Sequence, residues 1–100
     1  MSVIIVSKFQ GDTAAFRQAL TDRASEFEKW GALGRAAGAL HHRFGIGDGY
    51  VVVVDEWESV QQFEQFFGNP ELQAFVASIG AAPAPPEMII SEAVSSPDDY

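Results

Sequence analysis

Two stretches of this chain are apolar at every position rather than at alternate ones: Val3-Ile4-Ile5-Val6 and Val51-Val52-Val53-Val54. Both are β-branched, too short for a helix and flanked by glycine within a few residues, so they read as strands. Neighbouring strand residues point to opposite faces, which sends Val3 and Ile5 one way and Ile4 and Val6 the other. A sheet with one wet face alternates apolar and polar residues; these strands do not. Each Val or Ile left in water forfeits about 1.5–3 kcal/mol, a large share of what stabilises a small domain. Both faces of the sheet must therefore be covered.

Two helical segments cover the first face. Asp12 or Thr13 can cap a helix in which Phe16, Leu20, Ala24 and Phe27 recur at helical spacing, with Trp30 or Leu33 extending the stripe. Gly31, Gly34 and Gly38 predict fraying or a bend in its second half. Ser59 and Gln62 have capping-box spacing, and Phe63, Phe66 and Phe67 form the apolar face that follows. Gly68 interrupts, Asn69 caps a new turn with Pro70 at its first position, and Leu72, Phe75 and Val76 continue inward. Ala39–Ile46 and Tyr50–Trp57 read as a hairpin, and Glu87–Val94 as the last strand. The glycines between Gly45 and Gly49 suit a hairpin turn better than a phosphate-binding loop, because a strand follows them and not a helix. The order is β-α-β-β-α-β. It predicts an α+β, ferredoxin-like domain: a four-stranded antiparallel sheet with two helices on one face. The second face is expected to pack on another copy of the chain in a two-fold homodimer.

Composition narrows the partners. One hundred residues, 47% hydrophobic and 20% charged, make one domain, read as residues 1–95 with a polar tail at 96–100. The absence of cysteine removes disulfides, thiolate catalysis and Cys-ligated metals. A formal charge of −8 argues against nucleic acid and anionic membranes as partners. No apolar run is long enough to cross a bilayer, and the N-terminal stretch has neither a basic region nor a cleavage site. The expected location is the cytoplasm.

His41 and His42 are the only histidines. They are adjacent on a strand, so at most one faces the helices. A two-residue turn pairing Ile46 with Gly49 would place His42 there with Phe44, Val53, Asp55 and Trp57; a three-residue turn would substitute His41. Either can act as a general base beside Asp55, against the plainer role of a hydrogen-bonded strand histidine. Opposed neighbours cannot chelate one metal ion, and no third ligand is evident, so no metal site is expected. Trp57, whose indole N–H needs a partner when buried, together with Phe27, Trp30, Phe63 and Phe67, would line an aromatic cavity or simply form core. An inward Asp55 needs a partner such as His42 or Arg43, or a raised pKa; Glu56 would face the partner subunit.

Asp55-Glu56-Trp57-Glu58-Ser59, followed by Phe63, Phe66-Phe67 and Asn69-Pro70-Glu71-Leu72, resembles the third-strand-to-second-helix segment of the dimeric α+β barrel superfamily. Within it the chain is similar to antibiotic biosynthesis monooxygenase domains. The resemblance implies a homodimer with a pocket for a small apolar or aromatic ligand between helices and sheet. It also implies a cofactor-independent monooxygenase acting on an aromatic or polyketide-like substrate; in such an enzyme His42 or His41, by the reading of the residues above, would take the substrate proton. Haem held by one axial His, or ligand binding without catalysis, is the alternative. Haem-degrading members resemble a set of Asn on the first strand, Trp ending the third and His on the second helix. This chain matches only Trp57: Ser7 stands in place of the Asn, and residues 59–80 contain no His.

Overall fold

The computed structural model describes residues 1–100. The strands are β1 (Val3–Gln10), β2 (Ala39–Gly47), β3 (Tyr50–Trp57) and β4 (Glu87–Glu92). They form one antiparallel sheet in the order β2-β3-β1-β4. The helices are α1 (Thr13–Asp22), α2 (Ala24–Ala37), α3 (Val60–Phe67) and α4 (Pro70–Ser78). This is the expected α+β ferredoxin-like arrangement, with each of the two helical segments broken into a pair.

The break between α3 and α4 falls at Gly68-Asn69, where the sequence places it: the Asn69 side chain accepts from Glu71 N–H at 2.9 Å. The break between α1 and α2 falls at Arg23, which the apolar stripe conceals. The Arg23 backbone leaves the helical region (φ −123, ψ 31). Its guanidinium donates to both Glu26 oxygens at 2.8 Å and to Ser78 Oγ at 2.6 Å, and it lies over the Phe75 ring. The bend expected at Gly31 and Gly34 is absent. α2 runs through both and stops at Gly38, whose φ of 125 is a conformation that glycine adopts without a Cβ penalty.

The hairpin turn is Asp48-Gly49, one step beyond the expected register, with Gly47 paired to Tyr50. Gly49 takes a φ of 78, and a side chain at Gly47 would collide with the Tyr50 ring, so this register needs glycine at both positions. Moving the turn one residue along shifts each cross-strand pair by two, so the face assignment of the strands survives. A bulge at Leu40 then puts Ala39, rather than Leu40, opposite Trp57. The last strand ends at Glu92 rather than Val94, and no regular element follows it.

Two buried clusters form the core between sheet and helices. Phe16, Ala19, Trp30, Leu72, Phe75 and Ile79 pack at one end, and Ile5, Trp57 and Phe63 at the other. Phe66 and Phe67 touch both. On the opposite face nothing covers the sheet. Ile4, Val54 and Ile89 are exposed there, Ile89 by 66%, beside Val6 and Val52. The strand patterns that are apolar on both sides thus produce one packed face and one bare apolar face.

Candidate active site

Helices and sheet do not close completely on each other. Between the two core clusters lies a cavity of about 640 Å³ lined mainly by apolar and aromatic side chains. Its floor is the helix-facing row of three strands, where cross-strand partners share a face. Ser7 is opposite Val53, Phe9 opposite Val51, Phe44 opposite Val53 and His42 opposite Asp55. Its roof is the inner surface of the helices.

Three side chains join the mouth of the cavity to its depth. His42 Nδ1 lies 2.7 Å from Asp55 Oδ1, and Trp57 Nε1 donates to Asp55 Oδ2 at 3.2 Å. The His42 side chain is 47% exposed and that of Asp55 13%, while Trp57 is 2% exposed. The line therefore descends from solvent to core. A carboxylate can only accept a hydrogen bond, which assigns the proton to Nδ1 and, in the neutral ring, the lone pair to Nε2. Strand parity explains the alignment: residues 55 and 57 share a face, and residue 42 sits opposite 55 on the neighbouring strand. The carboxylate finds its partners in His42 and Trp57; Arg43, which pairs with Val54, belongs to the other face.

The remaining expected residues also border the cavity. Phe27 meets Phe16, Phe44 and Phe75 edge to face, and Trp30 lies between Phe66 and Phe75. Phe63 packs against Trp57 and stacks on Phe67 at 5.5 Å. His41 is opposite Glu56 and leaves by the other face, while part of the residue still borders the cavity mouth. Glu56 accepts from Ser2 Oγ at 2.6 Å on that same outer face.

Sequence reasoning overlooked several liners. Phe16, Phe66 and Phe75 are read from the helical stripes only as core, though each faces the cavity. Phe44, expected on this face with His42, packs its ring edge-on to it at 4.7 Å. Ser7, 5% exposed, is a polar group on the floor. Arg35, Glu28 and Gly31 border the mouth, and no sequence motif singles them out. The molecule has no group of three or more His, Asp or Glu side chains placed to hold a metal ion. No helix is long and apolar enough to cross a membrane.

Solved structures of the same shape cover almost the whole chain. A monooxygenase from the gene ActVA-Orf6 of Streptomyces coelicolor, in complex with nanaomycin D, is 20% identical, aligned over 99% of this chain and 93% of its own, with a TM-score of 0.69. SnoaB from Streptomyces nogalater, described as a cofactor-independent oxygenase, is 15% identical over 98% of both chains, with a TM-score of 0.65. Rv0793 from Mycobacterium tuberculosis is 17% identical over 98% of this chain and all of its own, with a TM-score of 0.64. No protein-family model matches the sequence, and no curated protein matches it. At these identities the likeness is one of fold. The chain shares the ferredoxin-like α+β fold of these three structures.

Proposed function

We propose that the chain binds a small aromatic or polyketide-like molecule in this cavity and oxygenates it without a cofactor. The observation that carries the reading is the His42–Asp55–Trp57 line, which sets an imidazole at the mouth of an aromatic-walled pocket. His42 Nε2 takes a proton from an activated ring methylene or phenol, and Asp55 holds the imidazole in orientation and stabilises the imidazolium that forms. Trp57 and the phenylalanines hold the ring while its carbanion reacts with dioxygen. For a methylene carbon, both C–H bonds and the O–O bond break. One oxygen atom stays on the carbon as a carbonyl, and the other leaves with the two hydrogens as water, so electrons and protons balance without a reductant. The activities of SnoaB and of the ActVA-Orf6 monooxygenase support this reading.

The bare sheet face supports the assembly expected from sequence: two chains packed through Ile4, Val6, Val52, Val54 and Ile89 in a homodimer, each keeping its own cavity.

Anthrone, a tricyclic ketone with an acidic methylene, serves as the probe. Oxygen uptake and anthraquinone formation should accompany the wild type. His42→Ala should lose turnover yet still bind the ring, and unchanged turnover in that variant would remove His42 from the mechanism. Binding without oxygen uptake would leave a non-catalytic ligand-binding protein. Haem is the alternative cofactor; His42 would hold its iron through Nε2, because Nδ1 is engaged by Asp55. A sharp Soret shift on adding haemin, lost in His42→Ala, would replace the oxygenase reading.

A further inference from the structure

The cavity has a definable doorway. Contacts between α2 and β2 bracket a gap: at one end Phe27 meets Phe44, with ring centres 6.0 Å apart. At the other, Gly34 lies so close to Ala39 that a Cβ on the glycine would sit 3.9 Å from the alanine's own. Between these brackets α2 rises about 10 Å and β2 about 16 Å. Leu40, His41 and His42 on the strand side, and Gly31 and Ala32 on the helix side, are exposed along this stretch and border the cavity. A Cβ at Gly31 would meet nothing within 4 Å. Along it the helix side presents only the small residues Gly31 and Ala32, so no long side chain of α2 crosses this stretch.

The doorway is electrically asymmetric. Glu28, Gly31, Ala32 and Arg35 follow i, i+3, i+4, i+7 spacing, so one face of α2 carries a carboxylate at one end and a guanidinium at the other. Of the six Lys and Arg residues in a chain of charge −8, Arg23 is paired with Glu26, while Lys8 and Lys29 sit over the rings of Tyr50 and Trp30. Arg35 forms neither an ion pair nor a ring contact, and it is the one Lys or Arg that borders the cavity. The acids inside are committed: Asp12 caps α1 and Asp55 holds His42 and Trp57. A cation in the last turn of a helix also complements the macrodipole, but that role does not require the cavity-facing side of the helix.

We propose that ligands enter between α2 and β2 and that this doorway selects an aromatic ring bearing an anionic substituent, a carboxylate, sulfonate or phenolate, which Arg35 binds at the rim while the ring goes inward. The inference rests on the aromatic-cavity reading above and names the chemistry of what that cavity takes.

Two matched fluorescent probes separate the claims: N-phenyl-1-naphthylamine, which is uncharged, and 1-anilinonaphthalene-8-sulfonate, the same ring system with a sulfonate. Arg35→Gln should weaken the sulfonate about three- to tenfold and leave the neutral amine unchanged. Glu28→Gln should tighten the sulfonate, and Gly31→Phe should slow association of both probes. Arg43→Gln, on the opposite face of the sheet, should not alter the ratio of the two affinities. Neutral-probe binding with no effect of Arg35→Gln on the sulfonate would overturn the anionic preference and leave the cavity intact. Dependence on Arg43 instead would place the sulfonate on the bare sheet face and overturn the doorway. Failure of both probes to bind would defeat the aromatic-cavity reading itself.

Discussion

A carboxylate that accepts from an imidazole and an indole at once fixes two rings with one side chain. Asp55 does this at 13% exposure, between a half-exposed histidine and a tryptophan that water does not reach. Removing it strands the Trp57 N–H, and a buried donor without a partner costs about 1–3 kcal/mol. Asp55→Ala should therefore lower the unfolding free energy by that amount and reduce turnover, because the His42 ring loses its orientation; chemical denaturation followed by tryptophan fluorescence checks the first part. Much of this site is legible in the sequence, because strand parity alone places residues 42, 55 and 57 on one face whichever two-residue turn forms. What parity does not reveal is distance. That Arg43 turns away follows from parity with His42; that Asp55 comes within hydrogen-bond distance of both rings is the part only the structure shows. Arg35 and Glu28 stay hidden for a related reason: on a helix surface an unpaired charge looks like any solvated residue until a cavity is seen beside it.

At the scale of the elements, helix caps and strands follow local chemistry closely. Ser59 accepts from the Gln62 N–H at 3.2 Å and donates its hydroxyl to the Gln62 side chain at 2.7 Å, a variation on the expected capping box. The α1–α2 break was not legible, because a long-range fork from Arg23 to Ser78 and Phe75 accompanies it, and periodicity contains no such information. Glu26 accepts from the same guanidinium, and that hydrogen bond holds its carboxyl below the usual range. A depressed folded-state pKa gives stability that is present above the ordinary carboxylate value and lost as pH falls through the lowered one. Glu26→Gln should thus melt below wild type at neutral pH, with the two melting temperatures converging in acid. Glycine inside α2 is a weakness the fold accepts without bending. Gly31→Ala should raise stability by up to about 1 kcal/mol, since its Cβ meets open space; an unchanged or lowered melting temperature would contradict this account of α2.

For the whole molecule, the consecutive apolar residues of β1 and β3 decide the outcome. One side of the sheet builds a cavity and the other remains bare, with Ile89, Val54 and Ile4 in contact with solvent in the single chain. Sedimentation at micromolar concentration should show a dimer, and Ile89→Glu, which buries a charge in the proposed interface, should give a monomer with the cavity preserved. The two apolar surfaces also compete as explanations of any aromatic ligand that binds, and only one of them contains Trp57. The most direct measurement is a nitrogen–proton correlation spectrum during titration with N-phenyl-1-naphthylamine. The account predicts that the Trp57 indole resonance moves, and that Asp55→Ala displaces it even before ligand is added. A Trp57 indole signal that stays fixed while the amides of Ile4, Val54 and Ile89 shift would contradict it.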